Sequence, residues 1–381
     1  MKKFFNFSKV QPIPAGVYQK QSAPGDQPPF RIHLQLQPDG AGVLIVNAST
    51  VLQLNPTAAE YAYHFIKGSE PEAAAKDIKA RYRGVKYADA LKDYQDFSAR
   101  IQTLLTAPHL DPVSHLDFER VAPHSTELTA PLRMDCALTY RLPPGMQAEY
   151  APAKRVDREL STEEWFSILD KAWAAGVPHI TFTGGEATLR EDLGELIARA
   201  EKNGQVCGLL TGGIRLANKD YMDELLQTGL DHLLFILQPD NPDSWKALEI
   251  IMPEDIFVTV HLTVSESNAG DAPTILERLA KLGATSLSMT FANPDLPAAE
   301  LHNKAASLGL ALKFDLPVPY SAEHPVAFET AEDQVPEGAG KAWLYVEPDG
   351  DVLPAQGMAD RVLGNILRDP WYEIYRAGKP A

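Results

Sequence analysis

Cysteine is what this sequence has least of: only Cys136 and Cys207 occur in 381 residues. Two thiols cannot by themselves build a four-thiolate zinc or iron–sulfur site. Both lie in apolar stretches of β character, which reads as buried, reduced core thiols. Long apolar runs are missing too, and without about 18 consecutive apolar residues no segment is expected to span a bilayer. The start, Met1-Lys2-Lys3-Phe4-Phe5, carries charge but no apolar run behind it. It reads as no signal peptide and a cytoplasmic chain. Positive charge is in deficit, with 35 Lys and Arg against 51 Asp and Glu, a formal net charge of -16. That argues against non-specific nucleic-acid binding, which needs basic surface to neutralise phosphates. It also argues against an anionic membrane surface, and it favours a basic peptide or protein as partner.

Proline and glycine punctuate residues 1–30, which read as a loosely structured lead-in. From Phe30 apolar and polar side chains alternate, with a turn at Pro38-Asp39-Gly40. Further β runs at Val43–Val46 and Thr50–Leu54 complete an antiparallel meander. Asn55 is the expected N-cap of a helix through Lys67, and helices over Glu70–Tyr82 and Tyr87–Leu105 follow. Four prolines between Pro108 and Pro131 mark a linker. From Leu132 apolar strands alternate with amphipathic helices, about six β–α units through residue 315. Such alternation means a parallel sheet with right-handed crossovers, and six units point to a partial (β/α)6 TIM-like barrel. Site residues are then expected at the C-terminal strand ends. Near the tail, Trp343–Val346, the turn Pro348-Asp349-Gly350 and Asp351–Leu353 read as a hairpin, with a last helix near 370–377.

The segment Thr181-Phe182-Thr183-Gly184-Gly185-Glu186-Ala187-Thr188-Leu189-Arg190 closes the second barrel strand. Two glycines let the backbone pass close to a ligand, and the Glu carboxylate beside them can pair with an ammonium group. A lone Gly-Gly-Glu is also an ordinary strand–helix turn. Its surroundings lift it: the segment resembles the GGE motif of radical-SAM proteins. Gly208-Leu209-Leu210-Thr211-Gly212-Gly213 resembles that family's next strand and loop, and Phe257–Asn268 its ribose-side strand. The resemblance covers roughly residues 131–315. It implies that Gly184, Gly185, Glu186, Thr211 and Asn268 line a pocket for S-adenosylmethionine, with Glu186 at the methionyl amino group.

One departure dominates. The family carries a CxxxCxxC loop after the first strand. Here Thr139-Tyr140-Arg141 is followed by Leu142, Met146 and Glu149 at the three ligand positions. A thioether and one carboxylate do not replace three thiolates. The tail around 337–368 resembles a SPASM extension, yet Glu337 and Ala355 stand where its cysteines are expected. The expectation is therefore no cofactor and no 4Fe–4S cluster, with S-adenosylmethionine held weakly if at all. Leu142 and Met146 are the side chains expected to fill a vacated cavity.

Residues 30–105 resemble a PqqD-like peptide-recognition domain, which takes a leader peptide as an added strand on its sheet edge. The peptide-binding strand is expected at Thr50, Val51, Leu52, Gln53 and Leu54. A purely structural winged helix shares this outline. The expected organisation is 1–108 for peptide recognition, 109–130 as linker, 131–316 as barrel and 317–381 as SPASM-like extension. The first functional reading is a non-catalytic protein that binds a leader or precursor peptide for an active radical-SAM partner enzyme or a second copy of itself. The second is a cluster-independent enzyme using Glu186 and Glu149 for acid/base work. His179, His232 and His261 match no ligand spacing and read as core histidines, while Glu191 and Asp192 read as first-turn acids of a helix.

Overall fold

The computed structural model describes residues 13–23, 28–47, 50–106, 127–144, 155–293, 295–312, 338–358 and 360–378. They fall into two units, Met1–Ala130 and Pro131–Ala381.

The first unit carries a four-stranded antiparallel sheet in the order β1 (Gly16–Gln21), β2 (Arg31–Leu36), β3 (Gly42–Val46), β4 (Thr50–Leu54). The lead-in is thus not all irregular, because Gly16–Gln21 pairs along its whole length with Arg31–Leu36. Asn55 caps α1 (Pro56–Lys67) by accepting from the Ala58 amide, and proline at the first helical position fits the cap. Helices α2 (Pro71–Arg81) and α3 (Tyr87–Thr106) complete the unit. Ile32, Leu34, Leu44, Leu52 and Leu54 from the sheet pack with Ala59, Ala62, Ile101 and Leu105 from the helices. At roughly 1.5–3 kcal/mol per buried branched side chain, this core supplies the unit's main stabilisation.

The second unit is built on a ten-stranded sheet. In chain order its strands are β5 (Arg133–Thr139), β6 (His179–Gly184), β7 (Val206–Thr211), β8 (His232–Ile236), β9 (Phe257–Val264), β10 (Ser286–Phe291) and β11 (Ala311–Leu312). All neighbouring pairs in this set are parallel. The connecting helices are α4 (Thr162–Ala175), α5 (Leu193–Asn203), α6 (Lys219–Leu226), α7 (Pro242–Ile251), α8 (Ala272–Lys281) and α9 (Ala298–Ser307). A Ser161–Glu164 capping box starts α4, which fixes where the chain turns back from the first strand. Beyond the barrel, β12 (Trp343–Val346) joins parallel to β5, and β13 (Asp351–Leu353) and β14 (Gly364–Asn365) follow antiparallel. Helix α10 (Trp371–Gly378) ends the described chain.

Met134, Cys136, Leu138, Ile180, Phe182, Cys207 and Leu209 belong to the core shared with the helices. The pleat therefore turns Arg133, Asp135, His179, Thr181 and Thr183 to the opposite face. On that face β9 and β10 add Thr259, His261, Ser286, Ser288 and Thr290, all buried. Barrel interiors are usually filled by bulky branched apolar residues; here that face is polar along β5, β6, β9 and β10, with buried Leu210, Leu234 and Ile236 from β7 and β8. Among the described residues no helix is long and apolar enough to cross a membrane.

Candidate functional site: the strand ends around Glu186

The parallel topology gathers the ends of β5, β6 and β7 at one rim. Between Ala137 and Thr139 the β5–β6 register shifts, which re-aims the end of the first strand. Gly184 has φ 129°, a conformation open to glycine, and a Cβ there would lie 2.1 Å from the Thr139 carbonyl oxygen. A Cβ on Gly185 would lie 2.4 Å from the Arg141 carbonyl oxygen. Both glycines thus serve a close approach of two backbones. The approach is sealed by hydrogen bonds, Gly185 N–H to Thr139 O at 2.7 Å and Glu186 N–H to Arg141 O at 2.9 Å.

This places the Glu186 side chain, 1% exposed, against the end of β7. Its Oε1 accepts from the Thr188 amide (3.2 Å), the Thr188 hydroxyl (2.6 Å) and the Thr211 hydroxyl (2.7 Å). Its Oε2 accepts from the Gly212 amide at 2.9 Å. Thr211 Oγ1 in turn accepts from the Gly213 amide at 3.0 Å. Every one of these donors is neutral, and among the described residues no Lys, Arg or His pairs with Glu186. A buried carboxylate without a cation is costly unless one is supplied, and Oε2, with a single donor, has acceptor capacity left. The arrangement fits an incoming ammonium group.

Gly184, Gly185, Glu186 and Thr211 are thus brought together. Asn268 is used differently: its Oδ1 accepts from Ser265 N–H and its Nδ2 donates to Thr263 O, both at 2.9 Å. Its amide closes its own loop after β9. Leu142 is half-buried, Ala355 is buried at 3% exposure, and Met146, Glu149 and Glu337 lie outside the described residues. The Glu149–Glu186 pairing therefore also falls outside them. Asp192 stands at the N-cap of α5 without capping it, because its carboxylate holds Arg190 (2.6 and 2.8 Å) and the Thr162 hydroxyl (2.6 Å). The carboxylate serves this ion pair rather than a side-chain cap. Thr188 was in the motif but without an assigned role. The hydroxyl two residues after the acid was the available signal.

Both cysteines are buried thiols, and burial together with Asp135 pushes the Cys136 thiol up. They sit on different strands within the helix-side core, so the described thiols do not fit a cluster's ligand set. Among the described residues no group of three or more His, Cys, Asp or Glu is placed to hold a metal ion.

The histidines sit deeper on the polar face. His179 Nε2 faces His232 Nε2 at 3.3 Å, in the space that Gly208 leaves by lacking a Cβ. His261 touches Ser288 (3.2 Å), Thr290 (3.3 Å) and Thr263 (3.4 Å). Burial holds the His232 and His261 rings neutral, pushed down to about 4, and His179 well below its usual range. An unfolded histidine takes its proton near 6.5, so between those values the unfolded chain binds more protons. The stabilisation is complete above about pH 6.5 and is lost as pH falls towards 4. Buried Asp135 and Glu347, both pushed up by desolvation, offset part of this. Thermal melting from pH 7.5 to 5.0 should show falling stability, about 2 kcal/mol each from His232 and His261 at pH 5, with His179 acting in the same direction. His261→Asn should flatten that slope, and an unchanged slope would contradict this role.

The radical SAM superfamily matches residues 136–257 of this chain. The PqqA peptide cyclase of Ruegeria pomeroyi is 30% identical over 295 residues, covering 66% of this chain and 76% of that protein. The chain belongs to the radical SAM superfamily, among the relatives of the PqqA peptide cyclases. A second cyclase, from Granulibacter bethesdensis, is 30% identical over 173 residues, 41% of this chain, so the chain spans about half (46%) of that relative. In fold, SuiB of Streptococcus suis bound to S-adenosylmethionine superposes with a TM-score of 0.61 at 13% identity, covering 90% of this chain and 86% of that one. SuiB bound to its precursor peptide SuiA gives 0.59 at 14% identity, covering 90% and 87%. These findings correct the expectation of no cofactor, no 4Fe–4S cluster and at most weak S-adenosylmethionine. The family uses S-adenosylmethionine with iron–sulfur clusters, and SuiB has been solved with S-adenosylmethionine in place.

Proposed function

We propose that this chain is a peptide-maturation protein that holds S-adenosylmethionine at Glu186 and a precursor peptide on its N-terminal sheet. The observation that carries the reading is the buried carboxylate of Glu186 at the joined strand ends, which among the described residues has neutral donors and no cation. The ammonium of an amino-acid moiety supplies the missing charge, and the hydroxyls of Thr188 and Thr211 keep the carboxylate aimed. When bound, S-adenosylmethionine supplies a sulfonium centre whose adenosyl or methyl carbon is activated. The chain's own residues bind and orient it. In this reading Gly184, Gly185 and Thr211 shape the pocket, and Asn268 holds the loop after β9 that borders it.

Residues 1–108 act as a PqqD-like recognition domain, and 317–381 as a SPASM-like extension. The relatives support a peptide as partner: cyclases named for the PqqA peptide, and SuiB solved with SuiA. β4 is a terminal strand of its sheet, with Leu52 and Leu54 in the core and Thr50, Val51 and Gln53 half-buried. A leader peptide adds there as a further strand, gaining main-chain hydrogen bonds. With Leu142, Met146 and Glu149 in the sequence at the three positions where the family carries cysteines, the protein presents the peptide to an active partner enzyme and does not itself perform the radical step. A second reading, polar chemistry on the bound sulfonium, rests on the same carboxylate.

Two measurements separate the parts. Hydrogen exchange with a PqqA peptide, for which the cyclase relatives are named, should protect amides within Thr50–Leu54 about tenfold or more. Protection at Gly16–Gln21 instead, or none, would contradict the docking strand. The isolated protein with S-adenosylmethionine, dithionite and that peptide should release no 5′-deoxyadenosine until the partner enzyme is added. Release by the isolated chain would overturn the presenting role.

A further inference from the structure

A second buried polar network lies beside the Glu186 site and joins it to the C-terminal extension. The Arg155 guanidinium forks onto Glu347 just past β12, with Nε at 2.7 Å and Nη2 at 2.5 Å. The same Nη2 donates to the Tyr140 hydroxyl at 3.0 Å. Tyr140 donates to Glu347 at 3.1 Å and meets the Tyr345 hydroxyl at 3.1 Å. The guanidinium also sits over both rings, 5.7 Å from the Tyr140 centroid and 5.9 Å from that of Tyr345. Side-chain exposure is 16% for Arg155 and 4% for Glu347, so the pair is shielded from water. Both guanidinium nitrogens and the Tyr140 hydroxyl converge on one oxygen, Glu347 Oε1, and such a desolvated, charge-assisted cluster holds geometry firmly.

What it holds is Tyr140, and Tyr140 and Arg141 are the backbone against which the glycines rest. A Cβ on Gly185 would meet the Tyr140 carbonyl carbon at 2.8 Å, and Arg141 O accepts from the Glu186 amide. An unbroken path of contacts thus runs from Glu347 and Arg155 through Tyr140 and Arg141 to Glu186.

We propose that Arg155 is a positioning residue for the S-adenosylmethionine site: it ties Tyr140 to Glu347 of the extension and so fixes the backbone that places Glu186. The proposal rests on the reading of Glu186 as the ammonium partner. It gives the extension a role through an ion pair and two phenols, at residues 192 and 207 positions apart in sequence.

The test compares wild type with Arg155→Met, Arg155→Lys and Tyr140→Phe. S-adenosylmethionine affinity is read by calorimetry, and hydrogen exchange of the segment 184–187 is read without ligand. Arg155→Met should weaken binding about tenfold and speed that exchange by a similar factor, because the fork and its charge are both lost. Lysine, which keeps charge but not the fork, should recover part of both effects. Tyr140→Phe removes only the hydroxyl link, and serves if Arg155→Met does not fold. Unchanged exchange and affinity in Arg155→Met, or in Tyr140→Phe where that variant stands in, overturn the proposal. So does a lower melting temperature with both readouts unchanged. Faster exchange in a protein whose wild type binds no S-adenosylmethionine keeps the positioning path and overturns the reading of Glu186.

Discussion

Glu186→Gln should weaken S-adenosylmethionine binding about a hundredfold, the loss expected when a buried charge partner of an ammonium becomes neutral. The substitution keeps the shape of the side chain. Its remaining oxygen still accepts from Thr188 and Thr211, whose hydroxyls can turn. The new amide nitrogen, however, faces the Gly212 N–H, a donor that cannot turn. The fold therefore loses stability too, by roughly 1–3 kcal/mol for the unmet donor. Calorimetry and thermal melting together separate the two effects. Wild-type affinity in the variant would remove Glu186 from the site.

Among the described glycines, Gly184→Ala should be the most damaging added methyl. At φ 129° an L side chain is strained before any contact is considered, and the added Cβ would meet backbone oxygen at 2.1 Å. The neighbour is the Thr139 carbonyl, whose backbone is fixed by pairing within the parallel sheet and cannot withdraw. About 3 kcal/mol or more is expected, roughly 6–12 °C in a unit of this size. Gly208→Ala is the useful contrast. Its Cβ would approach the His232 ring at 2.3 Å, but a ring at the end of a side chain can turn away. A melting temperature for Gly184→Ala equal to that of Gly208→Ala would contradict this account of the strand crossing.

The alternation of strands and helices after residue 132 was legible because each parallel strand is buried on both faces and each helix on one. Period alone then separates them. The strand-end motif was legible because Gly-Gly-Glu is local. The pairing of Gly16–Gln21 was not, since a short polar strand among prolines carries its signal only in the partner it meets, Arg31–Leu36. Thr211 was expected beside Glu186, yet its bond to that carboxylate spans 25 positions, and Thr188 shows its role only once the carboxylate is seen turned onto it. The Arg155–Glu347 pair was illegible for the same reason at greater range. Parallel addition of Trp343–Val346 beside the first barrel strand brings those residues together, and no spacing in the chain announces it. Counting cysteines led to an expectation of no cofactor. The count describes ligands for iron, whereas the retained carboxylate and its donors describe a site for an amino acid, which the family relationship supports.

A crystal structure of the chain grown with S-adenosylmethionine tests the central claim most directly. The account predicts the methionyl nitrogen within hydrogen-bonding distance of Glu186 Oε2, at the rim formed by Gly184, Gly185 and Thr211. S-adenosylmethionine bound elsewhere, or absent at saturating concentration with Glu186 unchanged, would contradict it.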